Sequence, residues 1–394
     1  MKQEASYQTL VLTSLLLLVC VVVGQHATLA ETKSSDTPGY IDVHTHLWGG
    51  LGPGIVPGHS EQARPKPPLG RKPPGGRRPP GGGQAGGRGD TDYEAAAQNL
   101  LDHMDQYGVA KAFIMPPPRS RDNVDLNEVQ NLLGVASRHP DRFLVAAGGD
   151  VLNPMIHECN ESAVTEEIQA RFEAEAERLV RLGIKAFGEM TALHLSFKAN
   201  HPFEETSPDH PLFLLLADIA ARHDVPIDLH MEAVPTDVPI PAGFSGNNPS
   251  TLRANIPGLE RLLTHNRKAR IVWQHIGWDN TGQMTVKLLR RLLQTHPNLY
   301  LALRVEERLF AMDRSPMRNR IVDEGWQIRP EWRAFFEEFP DRFVIGTDEF
   351  FGIPGQSRQA PQSFEETWRI LDQLPPVLAA KIGRENAVRI YNLN

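Results

Sequence analysis

Five short segments of the chain each end in a residue type that binds metal ions. Each segment is a mainly apolar run that closes on histidine, glutamate or aspartate, and the five span residues 41–46, 184–189, 227–230, 271–275 and 343–348. Neutral imidazole and carboxylate groups are suitable ligands for Zn²⁺ and related ions. The residue types therefore predict metal-dependent chemistry, and a metal-dependent hydrolase is the first hypothesis.

The first segment carries two histidines, His44 and His46, separated by two positions. On a β-strand this spacing places both side chains on the same face, where they can bind one ion. A His-x-His pair alone is weak evidence for a metal site. The evidence becomes stronger because the other four segments end in further ligand types, which are Glu189, His230, His275 and Asp348.

The segments recur within an alternation of extended and helical patterns. The predicted strands span residues 40–44, 110–115, 142–147, 184–189, 226–230, 269–275, 299–304 and 342–348. The predicted helices between them span residues 93–107, 126–138, 166–182, 212–223, 259–266, 285–295 and 331–338. Alternating βα units imply a parallel sheet, and eight units favour a closed (β/α)₈ TIM barrel of the α/β class. Because such a barrel presents its chemistry at the carboxyl ends of its strands, the ligands on strands one, four, five, six and eight should converge.

Residues 1–30 have the features of a secretory signal peptide. Lys2 precedes an apolar stretch over residues 10–23, and small residues precede Glu31. The apolar stretch is shorter than the roughly 20 residues that a membrane-spanning helix needs. We therefore predict an exported protein, periplasmic or secreted, without an integral membrane segment in the mature chain; an uncleaved N-terminal anchor is the alternative. The barrel is predicted to occupy residues 39–394.

Residues 49–89 form a low-complexity segment rich in proline, glycine and arginine. Such a composition buries too little apolar surface to become ordered, so we predict a disordered loop inserted after strand one. The loop could serve as a lid or as an anchor to acidic polymer. A tolerated insertion is the favoured interpretation, because long surface loops cost little entropy.

The net charge and the cysteine content limit which partners and which disulfides can be expected. The net charge of −7 argues against a nucleic-acid partner, which would select a basic domain. Cys20 lies in the N-terminal apolar run and Cys159 stands alone, so the mature chain can form no intramolecular disulfide. The expected partner is a small-molecule substrate, and a homo-oligomer is compatible with the sequence.

From Tyr40 to the C-terminus the chain resembles the amidohydrolase superfamily, in its branch of amidohydrolase-related TIM-barrel proteins. The resemblance rests on Asp42-Val43-His44-Thr45-His46, Gln274-His275-Ile276-Gly277-Trp278, Ile345-Gly346-Thr347-Asp348 and the closing residues 381–391. It implies one or two divalent ions, with Zn²⁺ expected, and a metal-bound hydroxide as the nucleophile. By this resemblance His44, His46 and Asp348 would hold one ion, His230 and His275 the other, and Glu189 would bridge them. Asp348 would also accept the proton of the hydroxide and pass it to the leaving group.

The bridging group has an alternative, Lys185, because many relatives bridge their ions with a carboxylated lysine on the fourth strand. Lys185, Phe187 and Glu189 are predicted to share one strand face by the period of two. Glu189 stands at the carboxyl end of the strand, and Lys185 lies about 13 Å deeper at ~3.3 Å per residue. We therefore expect Glu189 to be the bridge.

Fewer residues indicate the substrate. Arg304, at the end of strand seven, could bind a carboxylate or phosphate in a bidentate manner, or pair with a rim acid. Arg119 and Arg121 are further candidate cations. Four aromatics after the ligand strands either line a pocket or, as is more common, pack loops together; they are Trp48, Trp278, Phe350 and Phe351. His194 and His210 are unassigned and expected at the surface.

Three functions are compatible with these residues. The first is an exported hydrolase that cleaves an amide, ester or lactone-type bond of a small molecule. The second is a mononuclear, non-oxidative decarboxylase in which Arg304 holds the carboxylate, since related proteins include such enzymes. The third is a non-catalytic envelope-binding protein that uses the cationic loop.

Overall fold

Eight parallel strands within the described part of the chain close into a barrel. A computed structural model describes residues 39–48, 88–119, 128–196, 202–242, 244, 247–305, 321–354 and 362–393. The strands are β1 (Tyr40–Leu47), β2 (Val109–Ile114), β3 (Phe143–Gly148), β4 (Ala186–His194), β5 (Ile227–Met231), β6 (Ile271–Ile276), β7 (Leu299–Leu303) and β8 (Phe343–Ile345). Each strand pairs with the next, and β8 returns to β1 through Asp42 and Ile345. The predicted TIM barrel is confirmed.

Helices follow the strands around the outside of the barrel. They are α1 (Arg88–Tyr107), α2 (Glu128–Arg138), α3 (Leu152–His157), α4 (Glu166–Arg181), α5 (Pro211–His223), α6 (Ile256–His265), α7 (Val286–Thr295), α8 (Pro330–Glu338), α9 (Gln362–Trp368), α10 (Pro376–Ala380) and α11 (Asn386–Ile390). A π-helical turn, Lys381–Glu385, joins the last two. Short 3₁₀ turns lie at Glu161–Ala163 and Leu371–Gln373, and two-residue strands lie at Glu204–Glu205, Val238–Pro239 and Thr251–Leu252.

Side-chain caps mark the beginning of two long helices. The Thr165 hydroxyl accepts a hydrogen bond from the backbone N–H of Ile168 at 3.3 Å, and Thr285 does the same for Leu288 at 3.2 Å. These caps satisfy N–H groups that lack a partner in the first helical turn. The helix predicted from residue 285 therefore begins one residue later, with Thr285 as its cap.

The apolar core has two layers. The larger layer lies between strands and helices and includes Phe172, Leu292 and Trp332, all buried. The smaller cluster includes Phe113 of β2 and Tyr391 after α11, whose rings are 4.6 Å apart. Tyr391 also donates a hydrogen bond to Asp228 of β5 at 2.7 Å. Because β2 and β5 are not neighbours, these side chains must meet inside the barrel, so Tyr391 closes the interior below the strand ends.

Removing the Tyr391 hydroxyl is expected to destabilise the barrel. Tyr391 and Asp228 are both buried, and burial raises the pKa of the Asp228 carboxyl well above its usual range. Tyr391→Phe leaves that carboxyl without its donor, which costs about 1–3 kcal/mol. Urea unfolding measures the loss. Tyr107→Phe, at a half-buried hydroxyl on α1, is the control, and an equal effect of the two variants would contradict this role.

Several predictions fall outside the described residues. They are the signal peptide over residues 1–30, Arg121, and residues 49–87 of the predicted loop. Arg88 and Gly89, the last two residues of that predicted loop, instead belong to α1, which also begins five residues before the predicted helix. Among the described helices none is long and apolar enough to cross a membrane.

Candidate metal centre

The two histidines of β1 lie side by side at the carboxyl end of the barrel. Their Nε2 atoms are 3.1 Å apart, and both side chains are buried. The Nδ1 of His46 lies 2.9 Å from the backbone carbonyl of Met115. Because that oxygen can only accept a hydrogen bond, Nδ1 carries a proton and donates to it, and Nε2 is the nitrogen that faces the site. A second hydrogen bond of this kind orients most histidine ligands in metal sites.

Glu189 lies at the centre of the candidate site. Its Oε2 is 3.6 Å from the Nε2 atoms of both His44 and His46. Its Oε1 is 2.7 Å from Nδ1 of His230 and 2.9 Å from Nε2 of His275. Each oxygen therefore faces a different pair of histidines, as a bridging carboxylate would.

Asp348 completes the arrangement from the loop that follows β8. Its Oδ1 is 3.3 Å from Nε2 of His46 and 3.6 Å from Nε2 of His44. Its backbone N–H donates to the His44 carbonyl at 2.8 Å, which fixes the loop against β1. The other oxygen, Oδ2, pairs with the guanidinium of Arg304.

The spacing of these donors fits a metal ion. Donors at ~2.0–2.1 Å from a tetrahedral zinc ion are about 3.3–3.4 Å from one another. The five measured separations among the donors of His44, His46, Glu189 and Asp348 range from 3.1 to 3.6 Å. A second grouping, of His44, Glu189, His275 and Asp348, places one donor from each within 4.8 Å of the others. His230 joins the site through Glu189 and through its ring, which lies 4.7 Å from the ring of His275.

The charge states of three candidate ligands also favour cation binding, whereas neighbouring carboxylates outweigh burial and raise the pKa of His46 and His230. Burial opposes ionisation of Glu189, but His44, His230 and His275 hold its pKa well below the usual value. Burial acts in the same way on Asp348, where Arg304 and His275 outweigh it and keep the pKa of the carboxyl low. Burial lowers the pKa of His275 to about 4, so its imidazole is neutral near pH 7. Metal ligands must be deprotonated, and these three are.

Two of the six candidate ligands have left-handed backbones. The φ angle is 62° at His275 and 53° at Asp348, a region that non-glycine residues rarely occupy. Such conformations persist where the surrounding structure enforces them, often at functional sites. Gly277, with φ at 107°, follows His275, and a Cβ there would meet the Arg304 carbonyl. The turn after β6 therefore requires glycine.

The fourth strand differs from the prediction in one respect. Phe187 packs in the outer core layer, whereas Glu189 points to the histidines inside. A register shift between Phe187 and Met190 interrupts the alternation, so the prediction of a shared face is wrong. Lys185 precedes β4 and is exposed, which excludes it from the buried cluster as the alternative bridge.

Asp42 supports the ligands from below, a role that the sequence did not reveal. One oxygen accepts from the backbone N–H groups of His44 and Thr347, at 3.0 and 3.2 Å, and the other accepts from the Thr347 hydroxyl at 2.7 Å. The buried carboxylate thus links β1 to the residue that precedes Asp348. The available signal was the spacing, since Asp42 lies two residues before His44 and Asp228 lies two residues before His230.

A pocket of about 350 Å³ opens over this centre. Its size falls in the range of small-molecule sites. Trp48, Trp278 and Phe350 line it as expected, and Phe350 stacks on His46 with ring centroids 4.3 Å apart. Phe351 is instead buried and contacts Phe364, so it has the packing role that was the alternative for these aromatics.

The pocket also contains residues that the sequence did not assign to it. His194 lines the wall, and its ring lies 5.0 Å from that of His230. Glu204 and Glu232 are further lining acids, and burial raises the pKa of Glu232 to about 7. The spacing of Glu232 from His230 was a usable signal, but nothing local indicated that Glu204 pairs with the end of β4. His210 instead caps α5, where Nδ1 accepts from Leu212.

Arg304 lines the pocket, but its guanidinium is already engaged by other protein residues. Its guanidinium lies 4.1 Å above the Trp278 ring and pairs with Asp348, so the rim acid is a candidate metal ligand. The pairing also opposes the role of proton acceptor implied for Asp348, since Arg304 stabilises the ionised carboxylate.

Arg304→Met is expected to weaken metal binding about 10–100-fold, because groups that orient metal ligands contribute that much to affinity. Competition with a chelator measures the change on the folded protein. Arg290→Met is the matched control, since Arg290 pairs with Glu338 at 2.6 Å and lies 5.6 Å over the Phe335 ring, outside the pocket. Equal metal affinity in both variants would show that Arg304 does not position Asp348.

Three solved structures are similar to this chain at low identity. One is a probable 2-pyrone-4,6-dicarboxylic acid hydrolase from Acinetobacter baumannii with citric acid bound (15% identity, 90% of this chain and 99% of that chain covered, TM-score 0.46). Another is a 2,6-dihydroxybenzoate decarboxylase complexed with 2,6-dihydroxybenzoate (15% identity, 90% of this chain and 100% of that chain covered, TM-score 0.47). The third is a dihydroorotase from Campylobacter jejuni (13% identity, 90% of this chain and 84% of that chain covered, TM-score 0.42).

Sequence comparison is more decisive. A search of curated proteins found no match. The model of the Amidohydrolase family, in contrast, matches residues 41–393, which span the whole barrel and all six candidate ligands. The chain therefore belongs to the amidohydrolase family of enzymes.

Proposed function

We propose that the chain is an exported, metal-dependent hydrolase that cleaves an amide, ester or lactone-type bond of a small molecule. The observation that carries this proposal is the set of four donors, from His44, His46, Glu189 and Asp348, at separations that suit one divalent ion. Their position at the carboxyl end of the barrel, under a pocket of about 350 Å³, is where TIM-barrel enzymes carry out their chemistry.

These four residues would hold the first ion, and Zn²⁺ suits their nitrogen and oxygen donors. His230 and His275, together with the other oxygen of Glu189, would hold a second. The bound metal would lower the pKa of a water molecule and polarise the substrate carbonyl. Two contacts support this assignment, since Met115 orients His46 and Arg304 orients Asp348.

The protein side chains position the substrate and control the proton. Trp48, Trp278 and Phe350 give the pocket apolar walls that exclude water and orient a small molecule. Asp348 is the expected proton acceptor, and its Oδ2 must leave Arg304 before it can take a proton. His275 lies 2.9 Å from Glu189 and 3.6 Å from Asp348, so it helps to orient both carboxylates.

The test is a hydrolysis screen on metal-quantified protein, with amides, esters and lactones as substrates. The expected result is turnover with water consumption that a chelator removes and Zn²⁺ restores. Turnover that persists unchanged after the metal has been removed would contradict the proposal.

A mononuclear decarboxylase is the second candidate, and a specific observation favours it. His230 and His275 lie at hydrogen-bond distances of 2.7 and 2.9 Å from Glu189, closer than donors around a shared zinc ion. In contrast, five separations among the donors of His44, His46, Glu189 and Asp348 are 3.1–3.6 Å, which suits a single ion. One ion per chain with CO₂ release would select this candidate, whereas two ions with water consumption would select hydrolysis.

The first thirty residues support the proposed export, and N-terminal sequencing of the protein recovered from its native source tests it. We expect the mature chain to begin at Glu31, after the small residues Thr28-Leu29-Ala30. A mature chain that retains the apolar stretch would favour the N-terminal anchor instead.

A further inference from the structure

Arg119 is held rigidly in the pocket wall by three contacts. Its Nε and Nη2 donate to the Glu128 carboxylate at 2.9–3.1 Å. Its guanidinium lies 5.3 Å from the centre of the Trp48 ring, and its backbone N–H donates to the Gly149 carbonyl at 2.8 Å. These contacts fix the planar group before any ligand arrives, so little side-chain entropy remains to be lost on binding.

One edge of this guanidinium remains available. An arginine side chain has five N–H donors, and the contacts with Glu128 use Nε and Nη2. Among the described residues no side chain or carbonyl accepts from Nη1. The side chain lines the pocket and is 19% exposed, whereas its partner Glu128 is 2% exposed. Glu128 therefore holds Arg119 from behind, and the opposite edge can meet a ligand.

The other arginine of the pocket is engaged differently. Arg304 pairs with Asp348 and lies against Trp278, and its side chain is 8% exposed. A substrate carboxylate that bound Arg304 would compete with a candidate metal ligand. Arg119 has no such conflict, because its acidic partner lies outside the pocket lining.

Charged residues of opposite sign lie on opposite sides of the pocket. Arg119 follows β2, whereas the acids Glu204 and Glu232 belong to the segments after β4 and β5. A carboxylate entering the pocket is attracted toward Arg119 on the β2 side. Glu204 and Glu232 repel it from the β4–β5 side to the extent that they are ionised, since burial raises the pKa of both. The scissile bond then lies over the histidines and carboxylates at the centre.

We infer that the substrate is a small organic acid and that Nη1 of Arg119 binds its carboxylate, away from the bond that is cleaved. This inference rests on the proposed function and names the substrate class of the same site. Arg119 acts as a specificity-determining residue: it recognises a group that does not react.

The experiment compares two ligands on the metal-loaded full chain, benzene-1,3-dicarboxylate and 3-carbamoylbenzoate. Each keeps one carboxylate that can reach the metal centre, and they differ only in whether the second group is an anion or a neutral amide. Calorimetric titration of the wild type should show about 10–100-fold tighter binding of the dicarboxylate, the size of a charge-assisted hydrogen bond. Arg119→Met should abolish this preference, and Arg119→Lys, which keeps the charge, should retain part of it.

The matched control is Arg291→Met, since Arg291 also makes two contacts with one glutamate, Glu260, but on the outside of the barrel. It should keep the full preference. A wild type without preference, or an Arg119→Met variant that keeps it, would overturn the inference. Metal content is measured on the same samples, so a protein that binds no ion refutes the proposed function separately from the role of Arg119.

Discussion

Asp348→Asn is expected to reduce kcat/KM by about 10³-fold or more and to weaken metal binding in parallel. The carboxylate faces His44 and His46 with one oxygen and Arg304 with the other. An amide keeps the shape but loses the negative charge, so the donor set loses one of its two anions. A metal ion contributes several kcal/mol to catalysis, and each 1.36 kcal/mol is a factor of ten in rate.

Metal analysis and steady-state kinetics on the same preparation measure both effects. Asp341→Asn is the control, because Asp341 is exposed and pairs with Lys381 at 2.7 Å. It should leave both quantities unchanged. An Asp348→Asn enzyme with wild-type metal content and activity would show that the carboxylate is neither a ligand nor a proton carrier.

Glu189→Gln is expected to lower the bound metal by one ion per chain, from two toward one if both positions are filled, and to reduce kcat/KM about 10²–10³-fold. Glu189 is the residue whose two oxygens face different histidine pairs, at 3.6 Å for His44 and His46 and at 2.7–2.9 Å for His230 and His275. Glutamine replaces one oxygen by an amide nitrogen, which cannot bind a cation. The loss of one anionic bridge accounts for the expected size.

The matched control is Glu177→Gln, since the Glu177 carboxylate also contacts a histidine, His223 at 2.8 Å, outside the barrel. It should have no effect on metal content. Because Lys185 is exposed at the start of β4, it offers no substitute bridge. Unchanged metal content in Glu189→Gln would therefore mean that Glu189 is not a ligand.

The barrel and the convergence of six candidate ligands could be predicted from sequence because each depends on local patterns. Each strand is a short apolar run, and one residue at or near its carboxyl end determines what reaches the barrel mouth. His44 and His46 illustrate this most simply, since the period of two alone places their Nε2 atoms together. The order of the predicted strands and helices was sufficient to predict the TIM barrel.

Features that depend on departures from regular strands could not be predicted. The register shift in β4 turns Glu189 inward while Phe187 packs outward, although the period of two assigns both to one face. The left-handed backbones of His275 and Asp348 are imposed by the fold around them. Residue type gives no indication of either.

Contacts between residues far apart in the chain also could not be predicted from the sequence. Arg304 and Asp348 are separated by 44 positions, and the sequence left open whether Arg304 binds a substrate anion or pairs with a rim acid, without indicating Asp348 as that acid. Glu204 reaches the pocket because it pairs in antiparallel fashion with His194. The strand that contains Glu204 is only two residues long, too short to be predicted from a sequence pattern. In each case the partner is chosen by the geometry of the strand ends, which only the folded chain provides.

Direct metal quantification tests the central claim most simply. Full-length protein, purified without contact with chelators and analysed by inductively coupled plasma mass spectrometry, should carry at least about one divalent ion per chain, as a site of four protein donors requires. Loss of that ion in Asp348→Asn, but not in Asp341→Asn, would place it at the donors of His44, His46, Glu189 and Asp348. A wild-type chain that holds no divalent ion in stoichiometric amount, and takes up none when Zn²⁺ is supplied, would contradict the account.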